Sequence, residues 1–541
     1  MIGWIAWRLH RRGLIGFGAG GFLISIFYGS AFQQAAGSTA ASQAAFGHSI
    51  DLVARQFAFL IPLPVHPETL GGYEQYKWLS GAIILMAIWA ALAGVGVARG
   101  DEERGVTEQW LAGGVSRDRL LLARSAAFGL VLLTACLAST LGIAAIAPVL
   151  GQDPNLAGEI LKALSMGVGL FTVYALAVLI AQLPPERQTA TALGVGAPVL
   201  LLVVNGIADT VDRVAWVGYF SPFHWIERTS SAAPGGTFDA AGTIGLAAAA
   251  ALLLGLGAAV FGRRDVGAGS LGWGRRRRSA VRLASRNVML RSAFSEGLWE
   301  QRAGLAVWAA GALLLGAAMV SVTRSVADAL LADPRLAAVF LGSAPADLDA
   351  SLLGLTWFGT ALLLMASYAV VQVSRWAAQD QEGRVEMLLS APISRSRVIV
   401  DRGLEFALAS FLVVLAACLG VTAAIPSSGL HLQAGRLFAG SLLLWPFALA
   451  FGGLGIAIGS SWPRIAVPLL AAFAAVEYFV GDLAPLFKLP GWMANLSVFH
   501  LFGNPAVGPP PVTPAAWMLL VFLAGFGAAL LLMQRRDVAG A

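Results

Sequence analysis

The sequence predicts an all-α integral membrane protein: twelve transmembrane helices, arranged as two parallel six-helix repeats with a pseudo-twofold axis along the membrane normal. Three observations carry this expectation. Hydrophobic residues make up 57% of the 541 residues and charged ones 12%, and mean hydropathy is +0.74, whereas a soluble domain is about a quarter charged. Apolar runs of roughly 20 residues, enough for a helix to cross ~30 Å of hydrocarbon, recur along the whole chain. A charged loop is also written twice, since Gly105, Glu108, Leu111, Ser116, Arg117, Arg119 and Arg124 return as Gly383, Glu386, Leu389, Ser394, Arg395, Arg397 and Arg402 at one constant offset.

The first six apolar runs fall at about 13–34, 79–98, 125–149, 161–182, 189–208 and 240–261. The second six fall at about 303–322, 355–374, 403–425, 436–458, 464–481 and 513–533. Sheet edges would leave backbone groups unpaired in lipid, so only a helical bundle is expected. The basic residues before the first run resemble the start of a signal peptide, but the run is too long and lacks a small-residue cleavage site, so a retained helix is expected.

Arginines set the orientation, because basic residues near helix ends resist translocation. Arg8, Arg11 and Arg12 precede the first run; Arg104, Arg117, Arg119 and Arg124 follow the second; Arg187 follows the fourth; Arg263, Arg264 and Arg275 to Arg278 follow the sixth. Arg302, the Arg384 to Arg402 loop, Arg464, Arg535 and Arg536 repeat the pattern. Both termini are therefore expected in the cytoplasm, and the loops at about 35–78 and 323–354 outside. The net charge of +6 and pI of 9.7 follow from topology, and no nucleic-acid partner is implied.

Further landmarks repeat in order. Trp216, Ser221, Phe223 and His224 return as Trp492, Ser497, Phe499 and His500 with identical spacing, and Arg263-Arg264-Asp265-Val266 returns as Arg535-Arg536-Asp537-Val538. Arg11, Gly13 and Leu14 match Arg302, Gly304 and Leu305. Six is even, so both halves, 1–261 and 284–541, share one orientation. The Gly- and Arg-rich stretch 262–283 is expected to be a cytoplasmic tether. Cys136 and Cys418 sit in matching Ala-Cys-Leu strings within spans, where buried packing thiols are expected.

Inside the repeated loop, Thr107, Trp110 and Leu111, then Val385, Leu388 and Leu389, fall on one face of a short helix. Asp101, Glu102 and Glu103, or Asp380 and Glu382, gather at its start, where the helix dipole favours acids. Gly113-Gly114 and Pro392 end it. Such a helix either rests on lipid phosphates or receives a cytoplasmic partner, and its duplication fits a twofold partner.

The segments at about 211–228 and 484–503 are too polar to span and too apolar for free loops, and fit an aromatic belt or re-entrant elements at the outer surface. Within the spans Asn205 and Glu477 stand out, and an intramembrane acid is a functional candidate by default. Apolar residues otherwise line the helices, suiting a hydrophobic or amphipathic cargo.

No phosphate loop is present, because none of the three lysines, Lys77, Lys162 and Lys488, follows a glycine. Metal-spaced clusters, His-Glu-x-x-His and nucleophile elbows are absent as well, so neither a catalytic residue nor a metal site is expected.

Six spans per half, an amphipathic start, the Glu382-Gly383-Arg384-Val385-Glu386-Met387-Leu388-Leu389-Ser390-Ala391-Pro392-Ile393-Ser394-Arg395 loop and the Trp-Phe-His segments resemble the type-two permeases of ATP-binding-cassette exporters. The likeness is to their fused double-length form, as in bacterial multidrug and polyketide-antibiotic (tetronasin-like) exporters. The first copy departs at Gly113-Gly114 and Thr107, where the second has Ala391-Pro392 and Val385.

This resemblance implies coupling helices. Glu103, Arg104, Gly105, Glu108, Trp110 and Arg117, with Glu382, Gly383, Arg384, Glu386, Leu389 and Arg395, would dock two copies of a separate ATPase that holds ATP and Mg. It also implies an extracellular gate at Trp216, Phe223, His224, Trp492, Phe499 and His500, and residence in the bacterial cytoplasmic (inner) membrane; Asn205 and Glu477, as polar residues inside spans, are the candidates for the substrate pathway. A proton-coupled secondary multidrug transporter and a membrane scaffold are the alternatives; the former calls for acids or arginines at mid-membrane.

Overall fold

The computed structural model describes residues 2–56, 62–185, 187–210, 212–270, 292–332, 348–381, 383–483, 492, 495–508 and 510–536. Arg275 to Arg278, most of the tether, Glu382, Lys488, Asp537 and Val538 lie outside these residues, as do parts of 35–78, 323–354 and 484–503. All secondary structure among the described residues is helical. Eleven helices among them are long and apolar enough to cross a membrane. The chain divides into two compact units, Met1–Val281 and Arg282–Ala541.

In the first unit α1 (Ile2–Leu14) passes through a π turn at Ile15–Ala19 into α2 (Gly20–Ala36). Next comes α3 (Ala40–Gln56), inside what the sequence presents as a loop; Ile50 joins Phe32, Leu70, Tyr73 and Ile143 in a small separate core. The second span, α4 (Leu70–Glu103), begins well before residue 79. Glu74 and Lys77 lower the hydropathy of its first turns, yet Glu74 is fully buried and accepts a hydrogen bond from the Ser25 hydroxyl. Thr69 caps the start, accepting from the Gly72 N–H at 3.2 Å. There follow α5 (Val106–Ala112), α6 (Arg117–Ile146), α7 (Leu156–Ile180), α8 (Arg187–Thr210), α9 (Pro222–Glu227) and α10 (Ala240–Arg263).

The second unit comprises α11 (Ala293–Ala332), α12 (Leu348–Gln381), α13 (Arg384–Ser390), α14 (Arg395–Ser428), α15 (Ala434–Ser461), α16 (Pro463–Leu483), α17 (Val498–Phe502) and α18 (Val512–Arg535). The eleven apolar helices do not include α16, which covers the predicted run at 464–481 and carries Pro468 and Glu477.

In each unit the fourth span is the most buried of the membrane-length helices. Met86, Phe128, Cys136, Leu170 and Tyr174 fill the first core, with Phe128 stacked on Tyr174 at 4.7 Å. Trp357, Tyr368, Phe406 and Cys418 are buried in the second, and neither cysteine is in a disulfide. The first and third spans of each unit touch backbone to backbone. A Cβ on Gly142 would stand 2.4 Å from the Phe22 carbonyl oxygen, and one on Gly420 would stand 2.0 Å from that of Leu313.

Small residues allow this approach in lipid, where close packing replaces the hydrophobic drive. Gly420→Leu is expected to part α11 from α14 at a cost of about 1–3 kcal/mol, read as a lowered unfolding midpoint in detergent. An unchanged midpoint would contradict the contact.

Candidate functional site

At one end of each unit a short helix hangs between the second and third spans. Gly105 and Gly383 precede these helices in the left-handed region, at φ +68° and +71°. Side chains avoid that conformation and glycine does not, which explains the recurrence of this residue. Thr107 and Val385 turn inward and are buried, while Glu108 and Glu386 are exposed in the first turn, where the helix dipole favours a carboxylate. Proline at 392 holds Ala391 extended (ψ 165°) and ends α13. Ser116 and Ser394 then cap α6 and α14, accepting from the N–H of Arg119 at 3.4 Å and of Arg397 at 3.2 Å.

The repeated arginines hold this end together. Arg117 donates to the carbonyls of Phe261 (3.1 Å) and Arg264 (2.5 Å). Arg395 donates to those of Met533 (3.3 Å), Gln534 (3.1 Å) and Arg536 (2.7 Å). Both therefore clamp the carbonyl end of the last helix, where a cation also meets the helix dipole. The acids lie at the ends of α4 and α12, so arginines, more than a helix dipole, neutralise them. Asp101 pairs with Arg124, and with Arg104 at 3.1 Å. Glu102 takes Arg264 at 2.5 Å and Arg99 at 2.8 Å.

In the second unit one carboxylate serves both partners: Asp380 binds Arg402 at 2.7 Å and Arg536 at 2.8 Å. Arg99, 1% exposed, also donates to the carbonyls of Ala181 (2.9 Å) and Ala268 (2.8 Å). The corresponding position in the second loop is Ala377.

The candidate docking residues thus separate by task. Gly105, Gly383, Arg117 and Arg395 build the platform. Glu103 accepts from the Arg187 N–H at 3.0 Å, and exposed Arg384 pairs with Glu300 at 3.0 Å. Glu108 and Glu386 face solvent, Met387 is 71% exposed beside the latter, and Trp110 and Leu389 are half-buried. A cavity of about 280 Å³ borders α13, lined among others by Glu296, Glu300, Leu388, Asp401 and Glu405.

At the opposite end the second repeated segment forms α9 and α17. Ser221 donates to the Leu201 carbonyl at 3.1 Å and Ser497 to that of Glu477 at 2.7 Å, so each serine ties its short helix to the preceding one. Phe223 and Phe499 are buried, and Trp216 and Trp492 are exposed at 61% and 66%, as an aromatic belt would be. His224 is half-buried and His500 exposed. The Glu477 carboxylate accepts from the Val498 N–H at 2.7 Å, which gives it a capping task on α17. Asn205 donates to Asp209 (3.0 Å) and Glu227 (2.8 Å).

Burial pushes Glu227 from its usual 4.5 up to about 7, against the pull of the Asn205 bond, and burial lowers His224. An acid raised on folding favours the folded state while protonated. The Glu227 contribution to stability is therefore expected to be full below about pH 4.5 and lost as pH rises through about 7. Thermal unfolding followed across that window should show the decline, and Glu227→Gln should flatten it.

Four buried ionisable residues, Glu74, Glu159, Lys162 and Arg99, were not among the candidates read from the sequence. Lys162 gave a signal, being one of three lysines and lying inside a predicted span. Among the described residues no group of three or more His, Cys, Asp or Glu could hold a metal.

No curated protein matches the chain. A family model described as multidrug efflux system permease Rv1217c, C-terminal domain, matches residues 67–262 and 290–533, one stretch in each unit. With its many membrane-length helices, the molecule is a multi-pass membrane protein and a transport permease, not an enzyme. Because the match takes in most of the sequence from the second span to the last, the chain belongs to the multidrug efflux permease family typified by Rv1217c.

Proposed function

We propose that this chain is the type-two permease subunit of an ATP-driven exporter, which moves hydrophobic or amphipathic compounds (drugs, antibiotics or lipids) out of the cytoplasm or inner leaflet by alternating access. Twelve spans in two parallel halves cross the bacterial inner membrane with both termini in the cytoplasm. Two copies of a separate ATPase, holding ATP and Mg, dock on α5 and α13. One observation carries the proposal: each short helix presents an exposed glutamate on a platform cross-linked to the second, third and last spans. A push on either helix is thereby passed to three spans of its unit. The absence of a phosphate loop fits a separate source of hydrolysis.

Glu108→Lys with Glu386→Lys is expected to abolish copurification of the ATPase and ATP-driven export while the permease still folds. Losing a charge buried at an interface costs about 2–5 kcal/mol. Retained binding and export in the double variant would sink the coupling assignment. The buried Glu74 and Glu159 favour a second reading, a proton-coupled transporter. That reading requires efflux from proteoliposomes under a proton gradient with no ATPase present.

A further inference from the structure

The end of the first unit opposite α5 holds a line of ionisable side chains with no part in the docking platform. Glu74 on α4 is fully buried; Ser25 on α2 donates to one of its oxygens, and the other has no partner. Glu159 on α7, 1% exposed, likewise has one carboxylate oxygen without a partner and lies within electrostatic reach of Glu74. One turn further, buried Lys162 donates to the carbonyls of Ile226 (3.0 Å) and Thr229 (2.6 Å) and interacts with both Glu159 and Glu227. Asn205 joins Glu227 to Asp209, which is exposed. His224 and the Arg228–Asp239 pair complete the charged surroundings.

Two neighbouring buried carboxyls cannot both ionise cheaply, and each bare acid in a membrane costs at least about 2.5 kcal/mol. Both are closed to solvent, so whatever satisfies their unpaired oxygens must travel along hydrogen-bonding groups. Nothing equivalent exists in the second unit among the described residues, whose buried carboxylates, Asp380, Asp401 and Glu405, lie at the short-helix end.

We propose that Glu74 and Glu159 form a proton-binding site inside the first unit. A proton from water binds a carboxylate oxygen of the pair, and the other carboxylate keeps its charge near the buried Lys162 ammonium. One proton enters and no electron moves. The site is independent of how transport is powered.

Infrared difference spectra of the full chain in lipid nanodiscs, recorded between about pH 5 and about pH 8 to bracket displaced carboxyl titrations, test the site. The expected result is a protonated-carboxyl C=O band that titrates, shifts in heavy water, and disappears in Glu74→Gln and in Glu159→Gln. Ser25→Ala, which keeps both carboxyls, is expected to displace the titration without removing the band, which guards against misfolding of the glutamine variants. Absence of a titrating band in the wild type, or its survival in both glutamine variants, would overturn the proposal. So would a titration that moves with sodium concentration, since the pair would then be a metal-cation site.

Discussion

Asp380→Asn is expected to unfasten the short-helix end of the second unit at two points at once. Arg402 and Arg536 both rest on this carboxylate, whose side chain is 2% exposed. Removing one partner of a buried ion pair strands the other charge and costs about 3–5 kcal/mol. The loss should appear as a lower unfolding temperature in detergent and faster proteolysis between α13 and α14. Transport should fall with it, because the end of α12 would no longer be braced against the end of the last helix. Asp101→Asn supplies the comparison: it frees Arg124 but leaves the Glu102–Arg264 pair in place, so its cost should be clearly smaller. Equal losses in the two variants, or none in Asp380→Asn, would refute this division of work.

Glu102→Gln is the second large expected effect. Both of its partners are buried, Arg264 at 2.5 Å and Arg99 at 2.8 Å, so the substitution strands two guanidinium groups. A loss of about 3–5 kcal/mol is again expected, read by chemical unfolding. The double variant Glu102→Gln with Arg99→Met should recover part of it, since it removes one of the stranded charges, and that coupling is what a double-mutant cycle isolates. Recovery is expected to be incomplete, because Arg99 also satisfies the carbonyls of Ala181 and Ala268. A double variant no better than the single one would show that Arg99 acts through those carbonyls alone.

These effects bear on what the sequence made legible. Helical class and membrane residence follow from hydropathy, and the short helices follow from the placing of Thr107, Trp110 and Leu111 and their counterparts. Their glycine and serine boundaries were visible as repeats before any geometry gave them a task. The pairing of Asp101 and Asp380 was not legible, because partners brought together across three helices leave no local spacing. The early start of α4 was hidden for a related reason: hydropathy penalises Glu74 and takes no account of Ser25, which comes from another helix. The capping of α17 by the Glu477 carboxylate was not legible either, because that contact is made across a turn.

Two carboxylates and an extra arginine brace the first unit where one carboxylate serves the second, and this inequality has a consequence for stoichiometry. If each half were a separate polypeptide pairing with its own copy, a change at position 380 would appear in both places. Covalent fusion guarantees one of each in every molecule, so the halves are free to specialise. The first is wired in parallel, and loss of one link leaves others standing. In the second, Arg402 and Arg536 share Asp380, so a single event at that carboxylate releases both, while the Arg395 clamp on the last helix remains. A fused chain can therefore keep a stiff half and a triggerable half in fixed one-to-one proportion, which random assembly of two subunits cannot.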